Sequence, residues 1–193
     1  MRNVIKAFVL TILSYLLQVC AMQHLRIFGV AGNLLAVCIA VLTVSLGKKY
    51  AFGSSCVIGI LLEAMTSSVG GLYAVIYPVI SMLFAQLFAD MSDEKREKLL
   101  LRQSDTNKKV KGDMNPHFRI PLNAICIAAG TEAVFLIYVT LSGTELSYML
   151  LVRALITVLY TGLLAILLMF PMRVFLRMYG GHVRRAMVEE KQE

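Results

Sequence analysis

The sequence predicts an all-α integral membrane protein with six transmembrane helices and both termini in the cytoplasm. Three observations predict it: an apolar composition, six apolar stretches near span length, and basic residues confined to alternate connections. Of 193 residues, 58% are hydrophobic and only 16% are charged, and the mean hydropathy is +0.72. A soluble domain of this size has no core large enough to hide that surface, so the expected solvent is lipid. In hydrocarbon the backbone closes its hydrogen bonds internally, and with no period-two alternation to suggest a barrel, helices are the solution. The chain reads as one membrane domain over 1–193.

The candidate spans are 4–22, 30–46, 50–65, 69–89, 120–141 and 146–172, each long enough, or nearly so, for a bilayer crossing of about 20 residues. The first follows Arg2 and Lys6. A cleavable signal peptide is the weaker reading there, because the run is long for one and no A-x-A-like site follows. The second ends at Gly47-Lys48-Lys49, which separates it from the third. The third is short and is expected to extend at its cytoplasmic end. Thr66-Ser67-Ser68 separates third from fourth. Within the fourth, Pro78 is expected to kink the helix, with Ser81 or a neighbouring helix satisfying the freed backbone. Ser142-Gly143-Thr144-Glu145 divides the fifth from the sixth.

Placing the N-terminus inside puts 17 of the 19 Lys and Arg residues on the cytoplasmic side, as basic residues in short loops require. The formal charge of +7 is therefore topological, and no nucleic-acid partner is implied. Only Arg26 and Arg153 fall elsewhere. The cytoplasmic loop 90–119 mixes acids and bases, with a helical continuation expected around the Glu94–Lys98 pair. It reads as a solvated connector, or as a docking surface for a partner or for anionic headgroups. The tail 173–193 is also cytoplasmic.

Three ionisable residues lie inside apolar stretches: Glu63, Glu132 and Arg153. Charges there are costly and face the bundle interior or a wet cavity. The topology sets all three in the outer half of the membrane, so a polar cluster is expected, first a Glu132–Arg153 pair with Glu63 as an alternative or additional partner. Gly53, Gly59, Gly70 and Gly71 are candidates for close helix packing. The four cysteines have no ligand spacing and read as small buried hydrophobes. Cys20 and His24, the one Cys/His pair at i,i+4, is a weak catalytic signal, and no P-loop, HExxH or GxSxG motif is present. No cofactor or metal is expected.

The order of features carries a resemblance. A basic-flanked first helix is followed by Gly32-Asn33-Leu34-Leu35 opening the second and Leu46-Gly47-Lys48 closing it. Gly59-Ile60-Leu61-Leu62-Glu63 lies in the third, Gly70-Gly71-Leu72-Tyr73-Ala74 opens the fourth, Glu132 lies in the fifth, and the sixth ends in Pro171 and Arg173. This pattern resembles the bacterial rod shape-determining MreD family, most strongly from Gly32 to Tyr77. It departs where the family often has Pro-Asp at Gly32-Asn33 and Asp at Glu63, and in the length of the 90–119 loop. The resemblance implies a non-enzymatic inner-membrane scaffold of the cell-elongation machinery. Such a protein associates with MreC and helps link MreB filaments to the peptidoglycan polymerase and transpeptidase. It also implies a fold similar to the S components of energy-coupling-factor transporters. A second reading is accordingly a small-molecule binding subunit of that kind, which requires convergent polar groups around a pocket; the first helix lacks the small-xxx-small Ala pair by which S components contact their coupling partner.

Overall fold

The computed structural model describes residues 2–26, 29–66, 70–88, 116–143 and 147–176. These form six α-helices: α1 (Arg2–Cys20), α2 (Leu34–Leu46), α3 (Lys48–Thr66), α4 (Leu72–Phe88), α5 (Pro116–Leu141) and α6 (Tyr148–Phe175). The chain alternates direction, so one end of the bundle carries the α1–α2, α3–α4 and α5–α6 connections. The other end carries the start of α1, the α2–α3 turn and the end of α6. At that second end, Lys6 Nζ donates to the Leu176 carbonyl, joining the two ends of the described chain.

Helix α2 is the centre. It touches each of the other five helices, which surround it in the order α1, α3, α4, α5, α6. Leu34 to Val44 are all buried. An α-helix that is apolar on every side has to be enclosed on every side, by protein or by lipid; here it is protein. The enclosing helices are different. On α6, Leu151, Leu155, Leu159, Leu163, Leu167 and Val174 face outward and are exposed, a stripe at helical spacing. Polar side chains point the opposite way: Thr11, Thr43, Ser55, Ser81 and Thr161 are buried. Most of these hydroxyls donate to a carbonyl one turn back, as Thr11 does to Ala7 and Thr43 to Ile39, which removes most of the cost of burying them.

Two helical segments, His117–Leu141 and Tyr148–Phe175, are long and apolar enough to cross a membrane. The second predicted span behaves differently. Its helix begins at Leu34 rather than Val30, because Asn33 caps it and the residues before run extended from Gly29. Thirteen residues reach only about 20 Å at 1.5 Å per residue. The third helix extends by two residues at its start, Lys48 and Lys49, so the break between α2 and α3 is Gly47 alone. Its φ of +92° is a conformation that side chains resist. The fifth helix begins at Pro116, taking 116–119 out of the predicted loop, and the sixth continues through Pro171 to Phe175. The Glu94–Lys98 pair, most of the loop and the tail beyond Leu176 lie outside the described residues.

The Ser81 hydroxyl does not repair the backbone around Pro78. It lies 3.5 Å from the Ala51 carbonyl of α3, helping to join the most closely packed pair of helices, α3 and α4.

Candidate functional site

The central helix is short and its neighbours are long. At about 1.5 Å per residue, α5 and α6, with 26 and 28 residues, outreach it by about 20 Å. Much of that excess lies at the end where α2 begins. The result is a well of about 600 Å³ whose floor is the α2 N-terminus and whose wall includes Gln18, Tyr73, Tyr77, Glu132, Phe135 and Arg153. Arg26 stands on its rim. A side recess of about 160 Å³ is lined by Asn33, Tyr73, Ile76, Tyr77, Thr131, Glu132 and Phe135.

The floor is built from four side chains on four different segments. Asn33 Oδ1 accepts from the Ala36 N–H at 3.0 Å, capping α2, while its Nδ2 donates to the Tyr77 hydroxyl at 2.9 Å. The Asn33 N–H donates to Thr161 Oγ1 of α6 at 2.9 Å. Gln18 of α1 spans the cap: its Oε1 accepts from the Leu34 N–H at 2.7 Å and its Nε2 donates to the Gly32 carbonyl at 3.1 Å. Backbone groups at a helix end have to be paired when water is absent. This network pairs them with side chains of α1 and α6, while α4 holds the capping Asn33 amide through Tyr77. α6 also lies close to Gly32: a Cβ there would lie 2.4 Å from Leu164 Cδ1 and would displace the tip of that side chain.

The three predicted ionisable residues all come to this end of the bundle, but they do not form one cluster. Glu132 and Arg153 line the same well. Arg153 is close enough for its charge to act on Glu132, yet no contact within 4.0 Å joins the carboxylate to the guanidinium, so the two line one cavity without the expected direct ion pair. Glu63 is committed elsewhere. Its two carboxylate oxygens accept from the Gly71 and Tyr73 N–H groups, the second at 3.1 Å, so it holds the turn into α4 and neutralises the positive end of that helix. Tyr73 lies within electrostatic reach of both Glu63 and Glu132.

The four glycines divide. A Cβ at Gly59 would lie 2.7 Å from the Tyr73 carbonyl oxygen and 2.9 Å from Ala74 Cα, so this position does bring α3 and α4 into backbone contact. Gly53 has nothing within 4 Å and is exposed, so among the described residues it packs against no helix. Gly70 and Gly71, with φ of +33° and +90° and open space around them, serve the turn rather than helix packing. Gly130 and Gly162 were not singled out from the sequence; a Cβ at Gly130 would lie 3.0 Å from Ile80, and one at Gly162 would lie 2.8 Å from Ile125.

Of the cysteines, only Cys38 is buried, and Cys20 is exposed at the end of α1. His24 is exposed too, in the turn beyond it. Among the described residues no group of three or more His, Cys, Asp or Glu side chains is placed to hold a metal ion. Gln18 was missed, and its signal was faint: one amide near the end of an apolar helix is the usual mark of a membrane boundary. Tyr73 and Tyr77 share a helix face at i,i+4, which reads equally as packing. No family model, no curated protein and no solved structure matches the chain.

Proposed function

We propose that the chain is a multi-pass helical protein of the bacterial inner membrane, with both termini cytoplasmic, that works by contact as a scaffold of the cell-elongation machinery. It would act in the manner of the rod shape-determining MreD family, associating with MreC and helping to couple MreB filaments to peptidoglycan synthesis. The observation that carries this reading is where the residues of the resemblance fall. Gly32, Asn33, Gly59, Glu63, Gly71, Tyr73 and Tyr77 form one joint that fixes α2, α3 and α4. The Asn33 amide and the Glu63 carboxylate in that stretch are spent on backbone groups and on Tyr77, which is the use expected of a rigid frame. The outward apolar stripe of α6 supports lipid as the solvent, since exposed apolar surface of that extent is otherwise an association or aggregation site. With the N-terminus inside, the well opens toward the outer side, where α2 stops short of the surface that the longer helices reach.

Depletion of the protein in its host, scored for cell shape beside co-purification of MreC, tests the proposal. Rounded cells and captured MreC are expected. Normal rods with no recovered MreC would reject it.

The well itself favours a second reading, a small-molecule binding subunit similar to transporter S components, because several polar side chains converge on a half-open volume of ligand size. That reading expects a nutrient-uptake defect on depletion, with cell shape unchanged.

A further inference from the structure

The well has two chemically distinct sides. One is the recess, whose lining brings Glu132 together with three aromatic residues, Tyr73, Tyr77 and Phe135. A carboxylate beside aromatic rings favours an ammonium group, through charge and through the ring quadrupoles together. The other is the wall of α6, where Arg153 presents a guanidinium to the same volume, with Arg26 at the rim. A planar fork of donors suits a phosphate or a carboxylate. The two charges share one cavity without closing on each other in an ion pair.

An unmade pair matters in such a place. Arg153 is exposed and Glu132 is half-buried, so both charges stay accessible from the well, where one group carrying both opposite charges satisfies both. Remaining polar groups of the floor do not compete for this role: both ends of the Gln18 amide and both ends of the Asn33 amide are already bonded. The Tyr77 hydroxyl accepts from Asn33 and keeps its own proton to donate. Apolar walls at Leu35, Leu62, Leu136 and Leu150 accommodate carbon between or beyond the charged ends.

We infer that the well binds a zwitterionic group, its ammonium seated beside Glu132 in the Tyr73, Tyr77 and Phe135 recess and its anionic end against Arg153. Two sources supply that chemistry: a free small zwitterion, or the headgroup of an aminophospholipid drawn in from the surrounding leaflet. The inference rests on the membrane setting proposed above for the second source, and on neither the scaffold nor the transport role.

The test uses the full chain purified in detergent, stripped of lipid, and followed by thermal melting and native mass spectrometry. Phosphoethanolamine is the soluble probe; ethanolamine alone and ethyl phosphate alone each carry one of the two charges. Stabilisation by phosphoethanolamine that neither single-charge probe reproduces is expected if a free zwitterion is accommodated. For the lipid source, native spectra after exchange into mixed phosphatidylethanolamine and phosphatidylglycerol should show selective retention of the former. Glu132→Gln and Arg153→Gln should each weaken binding by about tenfold, the loss of one charge-assisted contact. The inference is overturned if neither phosphoethanolamine nor phosphatidylethanolamine is preferred over its single-charge or anionic comparator. It is equally overturned if both variants bind as the parent does. The comparison of probes on the unaltered chain stands even where a variant fails to fold. Membrane embedding is read separately, by resistance of the protein to alkaline extraction, so its failure is distinguishable from failure of the ligand.

Discussion

The two ends of the central helix are secured in opposite ways. Where α2 begins, side chains from α1 and α6 pair its exposed backbone groups, Gln18 alone taking two of them, and Tyr77 of α4 holds the capping Asn33 amide. Where α2 ends, one residue, Gly47, turns the chain directly into α3, its N–H bonding back to the Leu42 carbonyl. The first end depends on contacts between residues far apart in the chain, the second on local backbone geometry. The difference also follows use: the end held by long-range polar contacts is the end that leaves a cavity. Holding a well open inside a bundle requires each backbone group on its floor to be satisfied without water. A turn that carries no cavity has no such requirement.

Four substitutions break or sharpen this contrast, each read as the thermal-melt midpoint of the purified chain in detergent. Gln18→Leu should be the most damaging. It leaves the Leu34 N–H and the Gly32 carbonyl without their partner, at about 1–3 kcal/mol for each orphaned group, and no neighbouring helix supplies a replacement. A midpoint equal to that of the parent would show that water already serves this floor. Gly59→Ala, toward the same end, forces α3 and α4 apart because the new methyl meets backbone rather than a movable side chain. About 1–3 kcal/mol is expected, and retention of the parent midpoint would mean that the α3–α4 contact is looser than described. Gly47→Ala at the opposite end introduces a side chain at φ +92° and ψ 180° in open space, so it should cost only the local strain of about 1–3 kcal/mol and leave ligand retention in the well untouched. Gly53→Ala is the smallest change and of opposite sign. With nothing near the added methyl, it should raise stability by roughly 0.5–1 kcal/mol through helix propensity. A loss there would reveal an interface on that face of α3 that involves another molecule.

Much of the bundle was legible before the coordinates. Six helices occur close to the six apolar stretches, and span counting brought Glu63, Glu132 and Arg153 to the same end, because helix direction alternates with each crossing. What counting lacked was azimuth. Glu132 and Arg153 face one cavity while Glu63 turns toward the start of α4, and these outcomes depend on rotation about helix axes that a nearly uniform apolar sequence does not encode. The same uniformity hid the role of α2. It reads as one more apolar stretch, and nothing in its composition distinguishes a helix enclosed by protein from one enclosed by lipid.

The sequence by itself determined that the chain is helical, where its helices turn, and which few residues carry charge inside apolar surroundings, because these follow from transfer free energies and turn chemistry residue by residue. Tertiary structure alone decided that the second helix is central and short, that Gln18 and Asn33 seal its end, and that Glu132 and Arg153 remain apart across an open well. Those properties arise from the lengths of five neighbours and the way they pack around one helix, and no single stretch of chain contains them.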